Sequence, residues 1–90
     1  MYLWRSEGPA AIHFLRALKK LPVQVKLLAA TRELIFRKDC FDSRLETHKL
    51  GGKYKEHWAF SIDYHYRIMF RFLSDTEVLF EDTDNHKIYR

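Results

Sequence analysis

The chain is poor in the residues that cross-link or punctuate a fold. It has a single cysteine, Cys40, in 90 residues. An internal disulfide and a cysteine-based metal site are therefore excluded, and a reducing cytoplasm is the expected compartment. There are three glycines and two prolines. Where they stand, they build neither a glycine-rich phosphate loop nor a nucleophile elbow. No apolar run approaches the ~20 residues that cross a bilayer. The opening MYLWRSEGPA has no basic segment followed by an apolar run, so no secretory signal is expected. Repeats, low-complexity tracts and linkers are missing too, which leaves one domain over residues 1–90.

What is present is packing material and positive charge. Hydrophobic residues make up 47% of the chain, with seven Phe, five Tyr and two Trp, enough to close a small core and exclude disorder. Sixteen Lys and Arg against twelve Asp and Glu give a formal charge of +4. The charge is uneven: residues 1–38 hold eight basic and two acidic residues (+6), residues 39–74 six and five (+1), and residues 75–90 two and five (−3). A basic body of this kind suits an acidic or polyanionic partner.

Periodicity divides the chain in two. MYLWRS reads as a short edge strand. Pro9, with Ser6 or Gly8 as cap, opens a helix whose apolar face is Ala11, Phe14, Leu15, Leu18 and Leu21. Pro22 breaks it, and a second helix follows with the stripe Leu27, Leu28, Thr31, Leu34 and Ile35. CFDSRLETHKLGGKYKEH has no clear period, and Gly51-Gly52 marks a turn. The period then becomes two. Trp58, Phe60 and Ile62, then Tyr66, Ile68, Phe70 and Phe72, alternate with smaller or polar residues, and EVLFED supplies a further strand after the turn at Ser74-Asp75-Thr76. The expected fold is α+β: two N-terminal helices on one face of a small antiparallel sheet, made of the short first strand and a C-terminal three-strand meander.

The alternation also defines an outer sheet face, with Ser61, Asp63, His65, Arg67, Met69 and Arg71 turned away from the helices. His48, Lys49, Lys53 and Lys55 precede it with Tyr54, His57 and Trp58, and His86 and Tyr89 follow it. Arginine forks suit phosphates, lysines supply point charge, exposed aromatics stack on unpaired bases, and histidine moves protons near neutral pH. RNA carries its own nucleophile in the 2′-hydroxyl, so such a set needs no metal or other cofactor to cut it. Each residue alone also has a plain reading as solvated surface. His13 is expected to be incidental, and His48 with His86 lacks the spacing of a zinc pair.

The stretch ETHKLGGKYKEHWAFSIDYHYRIMFRF, followed by VLFEDTDNHKIYR, resembles the RelE/ParE superfamily of bacterial type II toxin–antitoxin toxins. The shared pattern is a His-Lys-Leu-x-Gly-Lys loop, Trp-x-Phe-x-hydrophobic, Tyr-Arg-Ile-x-Phe, then an acidic strand, a His and a terminal hydrophobic-Tyr pair. LRALKKLP resembles the family's first helix, and Asp82-Thr83-Asp84-Asn85 departs from the usual Asp-Ile-Gly-Thr before the tail His. The resemblance, closest to the RelE-like and YafQ-like branch, implies a cytoplasmic toxin that is a metal-independent, ribosome-dependent mRNA interferase. It implies catalytic roles for His48, Arg67, His86 and Tyr89, RNA-binding roles for Lys49, Lys53, Lys55 and Arg71, and Glu81 or Asp82 as orienter of His86. The implied partners are a cognate acidic antitoxin, the ribosome and mRNA in its A site, with no membrane. Two alternatives stay open within it: a ParE-like DNA gyrase inhibitor, and a catalytically inactive RNA-binding or autoregulatory module.

Overall fold

A computed structural model describes residues 3–85 of the chain. Gly8, at φ 97°, takes a backbone conformation that side chains disfavour, and Pro9 follows at the first helical position, where its missing N–H leaves no bond unmade. Helix α1 runs Pro9–Lys19; Leu21-Pro22 ends it, and α2 runs Val23–Lys38. Both last turns carry cations, Arg16 and Lys19 in α1 and Arg37 and Lys38 in α2, facing the negative ends of the helix dipoles.

Strands β1 (Leu3–Trp4), β2 (His48–Lys49), β3 (Trp58–Ser61), β4 (Tyr66–Phe72) and β5 (Glu77–Asn85) form one sheet in the order β1-β5-β4-β3-β2. The expected α+β class and the β3-β4-β5 meander are both present. Two details go beyond the expected sheet. β1 joins β5 in parallel, Leu3 opposite Glu77, a pairing that the long helical connection between them allows. The short β2 pairs antiparallel with β3, inside a stretch whose sequence shows no period. The register shifts at Met69/Phe70, so that Phe70 faces Phe80 and Met69 faces Asp82, with Glu81 as the extra residue of a bulge.

Both helices cover one face of the sheet. Ala11, Phe14 and Leu21 are buried as the first helical face predicts, whereas Leu15 is exposed. The second helix is turned from its expected stripe. Its buried residues are Val25, Ala29 and Phe36; Leu28 and Ile35 are half-buried, while Leu27 (67% exposed) and Leu34 (59%) point to solvent with Thr31. Phe36 decides this rotation. Its ring lies 4.8 Å from that of Phe60, 5.1 Å from Phe70 and 5.4 Å from Phe80, at the centre of the inner sheet face. One phenylalanine so enclosed removes more apolar surface from water than a leucine at the helix margin. Trp4 stacks on Phe80 at 5.2 Å and meets Phe14 edge-on, which fastens β1 to the same core.

Candidate active site on the outer face of the sheet

The outer face begins with β2. A 3₁₀ turn at Ser43–Leu45 ends on Glu46, the one described non-glycine residue at positive φ (50°), and this left-handed step aims the chain into β2. His48 then pairs with Ala59, Ala59 with Met69, and Ser61 with Arg67. That register places His48 within reach of Arg67, and Arg67 Nη1 lies 3.0 Å from His48 Nε2. The other ring nitrogen, Nδ1, lies 3.0 Å from the Glu46 carbonyl oxygen.

These two contacts settle the imidazole's proton. A guanidinium has no acceptor, so Nε2 offers its lone pair to Arg67; a carbonyl has no donor, so Nδ1 carries the hydrogen. The two contacts thus assign His48 the Nδ1–H tautomer, with the Nε2 lone pair aimed at Arg67. Arg67 forms no ion pair among the described residues, and its Nε is buried there without a partner.

A second cluster lies further along the face. His57 Nε2 meets Glu81 Oε2 in a short hydrogen bond, and Arg71 Nη2 bonds the other oxygen of Glu81 at 3.1 Å. Glu81 follows the inward-facing Phe80, so its carboxylate stands on the outer face with both partners. Between the two clusters the floor is apolar, with Ala59 and Met69 buried. Of the lysines, Lys49 is exposed on β2, Lys53 lies in the 3₁₀ turn Gly52–Tyr54, 5.2 Å from the Tyr54 ring centroid, and Lys55 is exposed just beyond it.

The structure therefore brings together two of the residues expected from sequence, His48 and Arg67, whereas Lys49, paired with the inward-facing Trp58, alternates to the other side of β2. His86 and Tyr89 lie outside the described residues. Arg71 is on the expected face but is engaged by Glu81 rather than free for a phosphate. Glu81 holds His57 and Arg71, and Asp82 stands 3.4 Å from His13 Nε2, so His13 has a carboxylate partner after all. Trp58 turns inward, packing edge-on against Phe41 and Phe72. Sequence reading did not single out the His57–Glu81 pair, although continuing the period of two backward from Ala59 puts His57 on the outer face.

At the edge of the site, Arg44 clamps Asp42 with Nε and Nη2, both at 2.9 Å, while its backbone N–H donates to the same carboxylate. The side-chain and then the backbone bond from Arg44 hold the Asp42 carboxyl down at about 2, and the same side-chain bond raises Arg44.

No family model and no curated protein matches the sequence. Solved structures do match the fold. The chain superposes on YafQ from E. coli strain BL21(DE3) with TM-score 0.63 and 17% identity, over 98% of this chain and 97% of that one. It superposes on a YoeB/ParE toxin from Agrobacterium tumefaciens with TM-score 0.68 and 12% identity, over 96% and 99%. For the E. coli DinJ-YafQ toxin-antitoxin complex the values are 0.60 and 20%, over 97% and 94%. The chain thus has the fold of the RelE/YafQ-like toxins over nearly its full length, as the sequence resemblance implied.

Proposed function

We propose that this chain is the toxin of a type II toxin–antitoxin pair and acts as a metal-independent endoribonuclease on mRNA in the ribosomal A site. The observation that carries the reading is the His48–Arg67 pair: an imidazole nitrogen and an arginine with no carboxylate partner among the described residues, 3.0 Å apart on the outer sheet face. A phosphodiester entering this face gives Arg67 a better partner than a neutral ring, because fork-to-phosphate bonds are charge-assisted and bidentate. The lone pair on His48 Nε2 is then released to accept the proton of the adjacent 2′-hydroxyl. The 2′-oxygen attacks phosphorus, the bond to the 5′-oxygen breaks, and a general acid protonates that oxygen. The products are a 2′,3′-cyclic phosphate and a 5′-hydroxyl. We assign the acid role to His86 and nucleotide orientation to Tyr89, with Lys49, Lys53 and Lys55 on the RNA backbone.

The partner in this reading is an acidic antitoxin. Support comes from the opposite side of the molecule: α2 exposes Val23, Leu27 and Leu34, one helical stripe, beside Lys19, Lys20, Lys26 and Lys38. An acidic amphipathic helix matches both the stripe and its border. The DinJ-YafQ complex is a toxin-antitoxin assembly built on the same toxin fold.

The test is cell-free translation of a defined mRNA with the purified chain, with and without ribosomes, and 5′-end mapping of the products. Cuts within codons that require ribosomes are expected. Cuts without ribosomes would keep the nuclease and remove the A-site dependence. Intact mRNA together with DNA damage in cells would replace this reading by gyrase inhibition.

A further inference from the structure

A cleft of 380 Å³ opens beside Arg67, and of its lining residues the mechanism above uses Arg67 alone. It is within the size range of small-ligand sites. Its walls come from four separate parts of the fold: Arg32 from α2, Arg44 and Glu46 from the 3₁₀ turn and its end, Arg67 from β4, and the turn at Ile62–His65. Three arginines converging on one cavity need an explanation, because none of them is required to close the core.

Their charges are not equivalent. Arg44 is answered by Asp42 and contributes little field. Arg32 and Arg67 form no ion pair among the described residues. Arg32 is fixed at the wall by its Nε, which donates to the Ile62 carbonyl at 3.2 Å and leaves the two terminal nitrogens of the guanidinium toward other partners. Two carboxylates also line the cleft, Glu46 and Asp63. A bare anion would meet repulsion there as well as attraction, so the lining suits a ligand that carries both an anionic group and hydrogen-bond donors.

The turn supplies the third element. Asp63 Oδ1 accepts from the backbone N–H of His65 and of Tyr66, both at 2.8 Å, which locks the tip of the β3–β4 hairpin. The locked turn holds Tyr64 at the rim with 84% of its surface exposed, its ring edge-on to His65. A rigid hairpin that displays an aromatic face beside two arginines has the parts of a base-stacking platform.

We propose that this cleft is a nucleotide subsite of single-stranded RNA: Arg32 and Arg67 take a phosphate, Tyr64 stacks on the base, and the carboxylates accept from base amino groups. It holds the nucleotide next to the phosphodiester at His48 and Arg67, and to that extent it rests on the RNA reading above. Because Glu46 supplies both a wall of the cleft and the carbonyl that fixes the His48 tautomer, occupancy of the subsite and alignment of the base share one backbone segment.

The experiment is a ¹H–¹⁵N NMR titration of the full chain with an uncleavable 2′-O-methyl trinucleotide. Shifts are expected at the amides of residues 61–64 and at Arg32 Nε–H. Tyr64→Ala, at an exposed position that leaves the fold intact, should weaken binding by about tenfold, in line with the loss of one stacked base. Arg32→Lys should weaken it as well, since it keeps the charge and loses the fork. Shifts confined to the lysine loop, no binding, or wild-type affinity in Tyr64→Ala would each overturn the subsite. The two readings fail separately. mRNA cleavage at unchanged KM in Tyr64→Ala removes the subsite and leaves the nuclease. A trinucleotide bound in the cleft of a protein that leaves mRNA whole removes the nuclease and leaves the subsite.

Discussion

His48 and Arg67 are informative because each limits what the other can be. The arginine cannot accept a hydrogen bond and the Glu46 carbonyl cannot donate one, so the imidazole between them has one possible tautomer. Long-range ¹H–¹⁵N spectra of the histidine rings should show the Nδ1–H form for His48, and Arg67→Ala should release that preference. In the proposed reaction His48→Ala removes the base, with an expected fall in kcat of about 10²- to 10⁴-fold and little change in KM. Arg67→Lys keeps the charge but not the fork, so it should recover only part of the rate. Cleavage at the wild-type rate by His48→Ala would remove His48 from the chemistry. Melting curves provide the control, because neither side chain belongs to the aromatic core.

At the scale of elements, α2 shows what was legible in the sequence and what was not. The helix itself and its start after Pro22 follow from breakers and period. Its rotation does not, because α2 carries two apolar stripes of the same spacing: Val25, Ala29 and Phe36 on one side, Val23, Leu27 and Leu34 on the other. Periodicity cannot choose between them; the three phenylalanines of the sheet do, by enclosing Phe36. Phe36→Ala should therefore cost about 3–5 kcal/mol. Leu34→Ala, which the leucine-rich stripe would rank as a core change, should stay within about 0.5 kcal/mol. Denaturant midpoints decide between the two rankings. The site divides in the same way. His48, Arg67 and the lysines were visible as residue types at the edge of an alternating face, but the His48–Arg67 contact depends on β2, whose two residues are too few to show a period. The His57–Glu81 pair joins the segment before β3 to β5, a cross-sheet partnership that alternation along one strand does not announce. The 3₁₀ turn before β2 has its own signature, the clamp of Arg44 on Asp42. Because the folded Asp42 carboxyl lies near 2, below its ordinary 3.8, the clamp stabilises the fold fully above about pH 4 and is lost as pH falls toward 2. The stability difference between the wild type and Asp42→Asn should accordingly shrink over that acid range and stay constant above it.

At the scale of the molecule, two faces with different chemistry are set back to back. The outer sheet face holds the His48–Arg67 pair and the His57–Glu81–Arg71 cluster, while the helical face combines exposed apolar residues with a strong positive balance. Residues 9–38 carry seven basic residues and one acidic residue, Glu33, which Arg37 already pairs at 2.7 Å. Such a surface attracts an acidic chain at long range and rewards one with an apolar stripe at contact, which is the combination expected for tight neutralisation by a folding segment. The separation of the faces makes the partner and the chemistry independently breakable. The double variant Leu27→Asp, Leu34→Asp places two negative charges on the stripe without touching the core, so the fold and any mRNA cleavage should persist. Binding of the proposed acidic antitoxin should fall by about 10²-fold or more, on the basis of about 1.4 kcal/mol per tenfold and the loss of two proposed anchors. Isothermal titration with the protein that co-purifies from its natural host measures the first quantity and the translation assay the second. Undiminished affinity in the double variant would move the antitoxin off the helical face and onto the sheet, where it would have to compete directly with RNA for Arg67.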